Sequence, residues 1–85
     1  MTRYRVDFDR RWIMGRWGFT DRVFYTLGGV EAPPKGLSNA WEVSFRGKPR
    51  DLGLLLQQRL HIDSTDQSQF GTIFEITELD RRAGP

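Results

Sequence analysis

The chain has 85 residues, no cysteine, one histidine and a formal net charge of only +2. That length allows one domain, residues 1–85, and buries only about 60–65 % of the surface that the unfolded chain exposes. The missing cysteine excludes a disulfide framework, a thiolate zinc site and a thiolate nucleophile, and a single histidine excludes any site built from paired imidazoles.

Apolar residues make up 38 % of the chain and no apolar run exceeds three residues, as at Leu54–Leu56, so no membrane span is expected. The start Met1–Arg5 lacks the apolar stretch of a secretory signal, and a cytoplasmic location is expected. Eleven aromatic residues argue against disorder. Charge is uneven: residues 1–50 carry ten basic and five acidic side chains, residues 51–85 three and six. Eleven of the thirteen basic residues are arginine, a bias that suits interfaces. GC-rich coding gives the same bias, and a bacterial or phage source is the corresponding expectation.

In chain order, Tyr4, Val6 and Phe8 alternate with Arg3, Arg5, Asp7 and Asp9, the period of a half-buried strand. Arg22–Leu27 is rich in β-branched and aromatic residues and stops at Gly28-Gly29, which favours a strand. The rival is a short helix with Thr20 as N-cap and Gly28 as C-cap, which would bring the chain close to a split β-α-β plan. Val30–Ala40, with Pro33-Pro34 and Gly36, reads as a loop. Trp41, Val43 and Phe45 mark another strand. Asp51–Leu60 predicts a helix, capped by Asp51 or begun at Pro49, with Leu52, Leu55, Leu56 and Leu60 as its apolar stripe and Leu54 opposite. Gly53 inside it implies close approach of another backbone, since glycine there costs about 1 kcal/mol. His61–Phe70 is a polar loop, Thr72–Leu79 a last strand, and 80–85 a frayed tail. The fold class is therefore α+β: an antiparallel sheet of about four strands, order β-β-β-α-β, with one helix on one face.

The most unusual stretch is Arg10–Phe19, with two tryptophans, one phenylalanine and three arginines in ten positions. Aromatic and arginine side chains anchor protein interfaces, and the same pair of residue types forms stacking platforms for single-stranded nucleic acid. The structural alternative is that Trp12 and Trp17 simply complete the core. Gly15-Arg16-Trp17-Gly18 resembles the GxxG loop that clamps the nucleic-acid backbone in KH domains. That loop joins two helices, whereas here a strand precedes Gly15, and the resemblance is set aside.

Asp63 does not open a calcium loop, because Ser68 and Phe74 stand where glycine and glutamate are required. His61 is the only candidate general base, with Asp63 and Asp66 near in sequence, but no nucleophile is placed beside it. A histidine at a helix end more often serves the helix dipole. No cofactor and no metal is expected.

The sequence thus predicts a small non-catalytic adaptor or inhibitor that docks a protein partner. Its contact residues would be Arg10, Arg11, Trp12, Arg16, Trp17 and Phe19, with Arg46, Lys48 and Arg50 as secondary contacts. The alternative is RNA or single-stranded DNA bound through the same surface, although the near-neutral net charge favours protein. Homodimerisation is expected wherever one helix leaves a sheet face or an edge strand uncovered.

Overall fold

The computed structural model describes residues 1–32, 38–63, 65–66 and 71–79. Seven elements follow in order: β1 (Thr2–Phe8), α1 (Arg10–Ile13), α2 (Trp17–Thr26), β2 (Val30–Glu31), β3 (Ala40–Phe45), α3 (Pro49–Arg59) and β4 (Phe74–Glu78). The strands form one antiparallel sheet in the order β2-β3-β1-β4. The α+β class and a four-stranded antiparallel sheet are as expected, but one strand is exchanged: Arg22–Leu27 is helical, and Val30–Glu31, expected to be loop, pairs with β3 as β2. The helical layer is larger than expected, and the plan is two interleaved split β-α-β units of the ferredoxin-like kind.

The difference lies at Arg22–Leu27, which is the end of helix α2 and not a strand. Reading that segment from Arg22 cuts off Trp17 and Thr20. With them, Trp17, Thr20, Phe24 and Leu27 fall at helical spacing, and all four are buried or packed on the core. The β-propensity of Val23, Phe24 and Tyr25 yields to that period. Gly28, at φ +81, ends the helix: its N–H donates to the Tyr25 carbonyl at 3.0 Å, and Gly29 N–H donates to the Phe24 carbonyl at 2.7 Å. This is a Schellman motif, with glycine in the left-handed position it favours. Thr20 is not the N-cap; it lies one turn inside the helix and its hydroxyl donates to the Arg16 carbonyl at 2.8 Å.

α3 begins at Pro49, as the first-turn preference of proline dictates. Asp51 sits in its first turn and accepts from the Lys48 N–H at 3.5 Å rather than forming the N-cap itself. Leu52, Leu56 and Leu60 are buried, and Leu54 is exposed. Both helices lie on the sheet face that carries Tyr4, Val6, Phe8, Trp41, Val43, Phe74 and Ile76. The opposite face presents Arg3, Arg5 and Asp7 from β1, Glu42 and Ser44 from β3, and Glu75 and Thr77 from β4. Arg3 pairs with Glu42 and Arg5 with Asp7. A polar, ion-paired face can stay in water, so the expected need for a second cover does not arise there.

Gly53 lies over β4, but no backbone crowds it. A Cβ there would meet the Ile76 and Phe74 side chains at 3.7 and 3.9 Å, ordinary contact distances. Gly29 is different: its Cβ would stand 2.9 Å from the Glu42 carbonyl. Gly53→Ala is therefore expected to stabilise the fold by about 0.5–1 kcal/mol, and Gly29→Ala to destabilise it by about 1–3 kcal/mol, both measured by chemical denaturation.

Candidate functional site

The Arg10–Phe19 stretch folds as a capped turn of helix, a glycine corner and the start of α2. Asp9 caps α1: its Oδ1 accepts from the backbone N–H of Arg11 at 2.8 Å and of Trp12 at 3.3 Å. The Arg11 guanidinium also reaches Asp9, with Nη2 to Oδ2 at 3.2 Å. That side-chain bond, with the two backbone N–H groups, holds the Asp9 carboxyl below its usual pKa. Gly15, at φ +84, then turns the chain into α2.

This geometry divides the predicted contact residues. Trp12 is not at the surface. Its ring is 1 % exposed and stacks on Phe8, with centroids 5.4 Å apart. The Arg16 guanidinium lies 5.0 Å from the ring centroid, and Arg16 Nη1 donates to the Trp12 carbonyl at 2.6 Å. Helical α1 sends Trp12 back under β1, so it belongs to the core and cannot touch a partner. Trp17 is half-buried; its Nε1 donates to the Ser38 carbonyl at 3.2 Å and its ring packs 5.7 Å from Trp41. Arg10 and Arg11 are exposed. Phe19 is 42 % exposed and stacks on His61 at 5.9 Å. Arg16 is half-buried, with Asp66 4.0 Å away.

Arg46, Lys48 and Arg50 are exposed, but they follow the end of β3 that pairs with Thr2. Arg10 follows the opposite end of β1. Six strand steps place the two groups about 20 Å apart, so they do not form one surface.

Other residues complete the site. Met14 is 75 % exposed at the corner. Beside it lies a shallow groove of about 440 Å³ lined by Arg10, Ile13, Met14, Gly15, Trp17, Ser38 and Asn39. A second groove, about 250 Å³, runs along α2 and β2 past Asp21, Tyr25 and Val30. Tyr25 is 79 % exposed, and Asp21 accepts from Trp41 Nε1 at 2.9 Å. Among the described residues Arg10 and Arg22 have no ion-pair partner. Sequence reasoning passed over Met14 because a strand connection gives no helical angle, whereas α1 fixes Trp12 and Ile13 inward and Met14 outward.

The ground for setting aside Gly15-Arg16-Trp17-Gly18 also changes. A helix, not a strand, immediately precedes it, so the pattern does join two helices. Trp17 and Gly18 already belong to α2. His61 sits at φ +56 in the left-handed position that ends α3, donating its N–H to the Gln58 carbonyl at 3.3 Å. Asp63 and Asp66 each accept the other's backbone N–H, at 3.0 and 3.3 Å, and no hydrogen bond joins either to the imidazole. Among the described residues no group of three acidic or histidine side chains could hold a metal ion. No helix of the described residues is long and apolar enough to cross a membrane. Comparison of the chain with protein-family models, curated proteins and solved structures finds no match.

Trp12→Ala is expected to cost about 3–5 kcal/mol in denaturation, while Met14→Ala stays within about 0.5 kcal/mol. Asp9 contributes stability that is present above its unfolded-state pKa of about 4 and is lost as pH falls through the lowered folded-state value. An acid titration of Asp9→Asn should lack that component.

Proposed function

We propose that this chain is a small non-catalytic protein-binding module, an adaptor or inhibitor, that docks its partner through the α1–α2 corner. The observation that carries this reading is an exposed apolar corner beside a groove. Met14 projects into solvent, and the groove next to it is walled by Ile13 and Trp17 and rimmed by Arg10. Apolar anchors beside arginine are the composition of interface centres. The contact set is Arg10, Arg11, Met14, Arg16, Trp17 and Phe19. Catalysis has less support, because both carboxylates near His61 are engaged elsewhere.

A nucleic-acid reading draws on one observation, the GxxG pattern between α1 and α2. Against it, burial of Trp12 leaves Phe19 and Tyr25 as the exposed rings of this region. The open sheet face carries no ring among Arg3, Arg5, Asp7, Glu42, Ser44, Glu75 and Thr77, and both its arginines are engaged by carboxylates.

The test begins with affinity capture from cells of the source organism, followed by binding of the purified pair. Met14→Glu and Arg10→Glu are expected to weaken binding at least about tenfold with an unchanged melting temperature, as removal of anchors does. Full binding by both variants would refute the docking corner. A salt titration against single-stranded RNA separates the alternative: about four phosphate contacts give a log–log slope near −3.

A further inference from the structure

We infer that the turn 46–50 between β3 and α3 is a second binding site, one that grips the phosphate backbone of a nucleic-acid duplex without reading its sequence. It uses the three cations that the docking corner leaves out, Arg46, Lys48 and Arg50. It is independent of that corner, which lies about 20 Å away at the other end of the sheet.

Arg46, Lys48 and Arg50 stand at alternate positions, with Gly47 and Pro49 between them. Three cations and no carboxylate fall within five residues, so a chain of net charge +2 concentrates positive charge here. All five residues are exposed. Arg3, Arg5, Arg11 and Arg16 each have a carboxylate within 4.0 Å, whereas among the described residues none of these three cations has one. The next residue, Asp51, accepts from the Lys48 backbone N–H at 3.5 Å. The backbone that carries the cations is held in place. Tyr4, 2 % exposed, donates its hydroxyl to the Gly47 carbonyl at 2.8 Å. Gly47 has φ +148, and a Cβ there would stand 2.8 Å from the Phe45 ring. Pro49 fixes its own φ as α3 begins. A preformed turn leaves mainly side-chain freedom to be lost on binding.

The composition of the turn selects the ligand. Protein interfaces centre on apolar or aromatic anchors, and single-strand platforms stack bases on rings. The turn offers neither, because the ring that precedes it, Phe45, is half-buried against the core. It offers charge alone, with the Cα atoms of successive cations no more than about 7 Å apart. A duplex presents the complementary surface, a continuous line of phosphates with its bases turned inward. Arginine meets phosphate bidentately and lysine as a point charge. Such contacts hold a duplex without specifying its sequence. With the corner at one end of the sheet and this turn at the other, the module joins a protein partner to nucleic acid.

Fluorescence anisotropy of a labelled DNA duplex titrated with the full chain is the test. At about 50 mM salt the chain is expected to bind duplexes of unrelated sequence equally, with a log–log salt slope of about −2.7 for three phosphate contacts. Arg46→Gln, Lys48→Gln and Arg50→Gln should each flatten that slope by about 0.9. The triple variant should weaken binding at least about tenfold with an unchanged melting temperature, because the three side chains are exposed. Met14→Ala should leave duplex binding unchanged, which separates this site from the docking corner. Three results overturn the inference: no duplex binding at about 50 mM salt, a triple variant that binds as the parent does, or a polyglutamate peptide held more tightly than the duplex, which assigns the turn to an acidic protein segment.

Discussion

The ring of Phe8 is the contact on which the rest of the fold depends. It stands at the end of β1 and touches four rings: Trp12 from α1 at 5.4 Å, Phe24 from α2 at 6.0 Å, Trp41 from β3 at 5.5 Å and Phe74 from β4 at 5.5 Å. Phe24 and Trp41 stack on each other at 5.3 Å with their planes 7° apart. Without disulfide or metal, a chain of this size must obtain its stability from burial. Here the burial is largely aromatic and converges on one residue from four elements. The edge-to-face and offset arrangements are those that aromatic quadrupoles favour.

That convergence also shapes the corner proposed as the docking surface. Drawing Trp12 under β1 requires α1 to start at Asp9 and to end almost at once. The chain must then reverse at Gly15 so that α2 can bring Phe24 to the same cluster. Met14 is left outside at the reversal, and Trp17 becomes a groove wall instead of a free anchor. The proposed docking corner is thus a by-product of closing the core, built beside residues that the core holds in place. Among the described residues β4 ends the sheet, and the helices cover one of its faces.

The sequence revealed β1 and β3 well, because Tyr4-Val6-Phe8 and Trp41-Val43-Phe45 alternate cleanly, but it hid β2, whose two residues Val30 and Glu31 are too few to show a period. It revealed α3 for the same reason, through Leu52, Leu56 and Leu60. It misdirected at α2. Val23, Phe24 and Tyr25 have strand propensity, and the helical period emerges only when Trp17 and Thr20 are included. The site inherited that error. With a strand before Gly15, nothing in the sequence distinguishes Trp12 from Trp17, and core and surface stay open for both. The grouping of Arg46, Lys48 and Arg50 with Arg10 failed for another reason: separation along a strand is invisible until the register is known. Of the eleven aromatic residues, Phe19 and Tyr25 are the exposed ones among those described, so the aromatic supply does exceed what this core uses.

The central claim is that Trp12 and Trp41 are core and that the corner's exposure lies elsewhere. Acrylamide quenching of a Trp17→Phe variant tests it directly, because the two remaining indoles are Trp12 at 1 % and Trp41 at 0 % exposure. The account predicts blue-shifted emission that is almost unquenched in the folded state and becomes fully quenchable on denaturation. Strong quenching of the folded variant would place Trp12 at the surface and contradict the account.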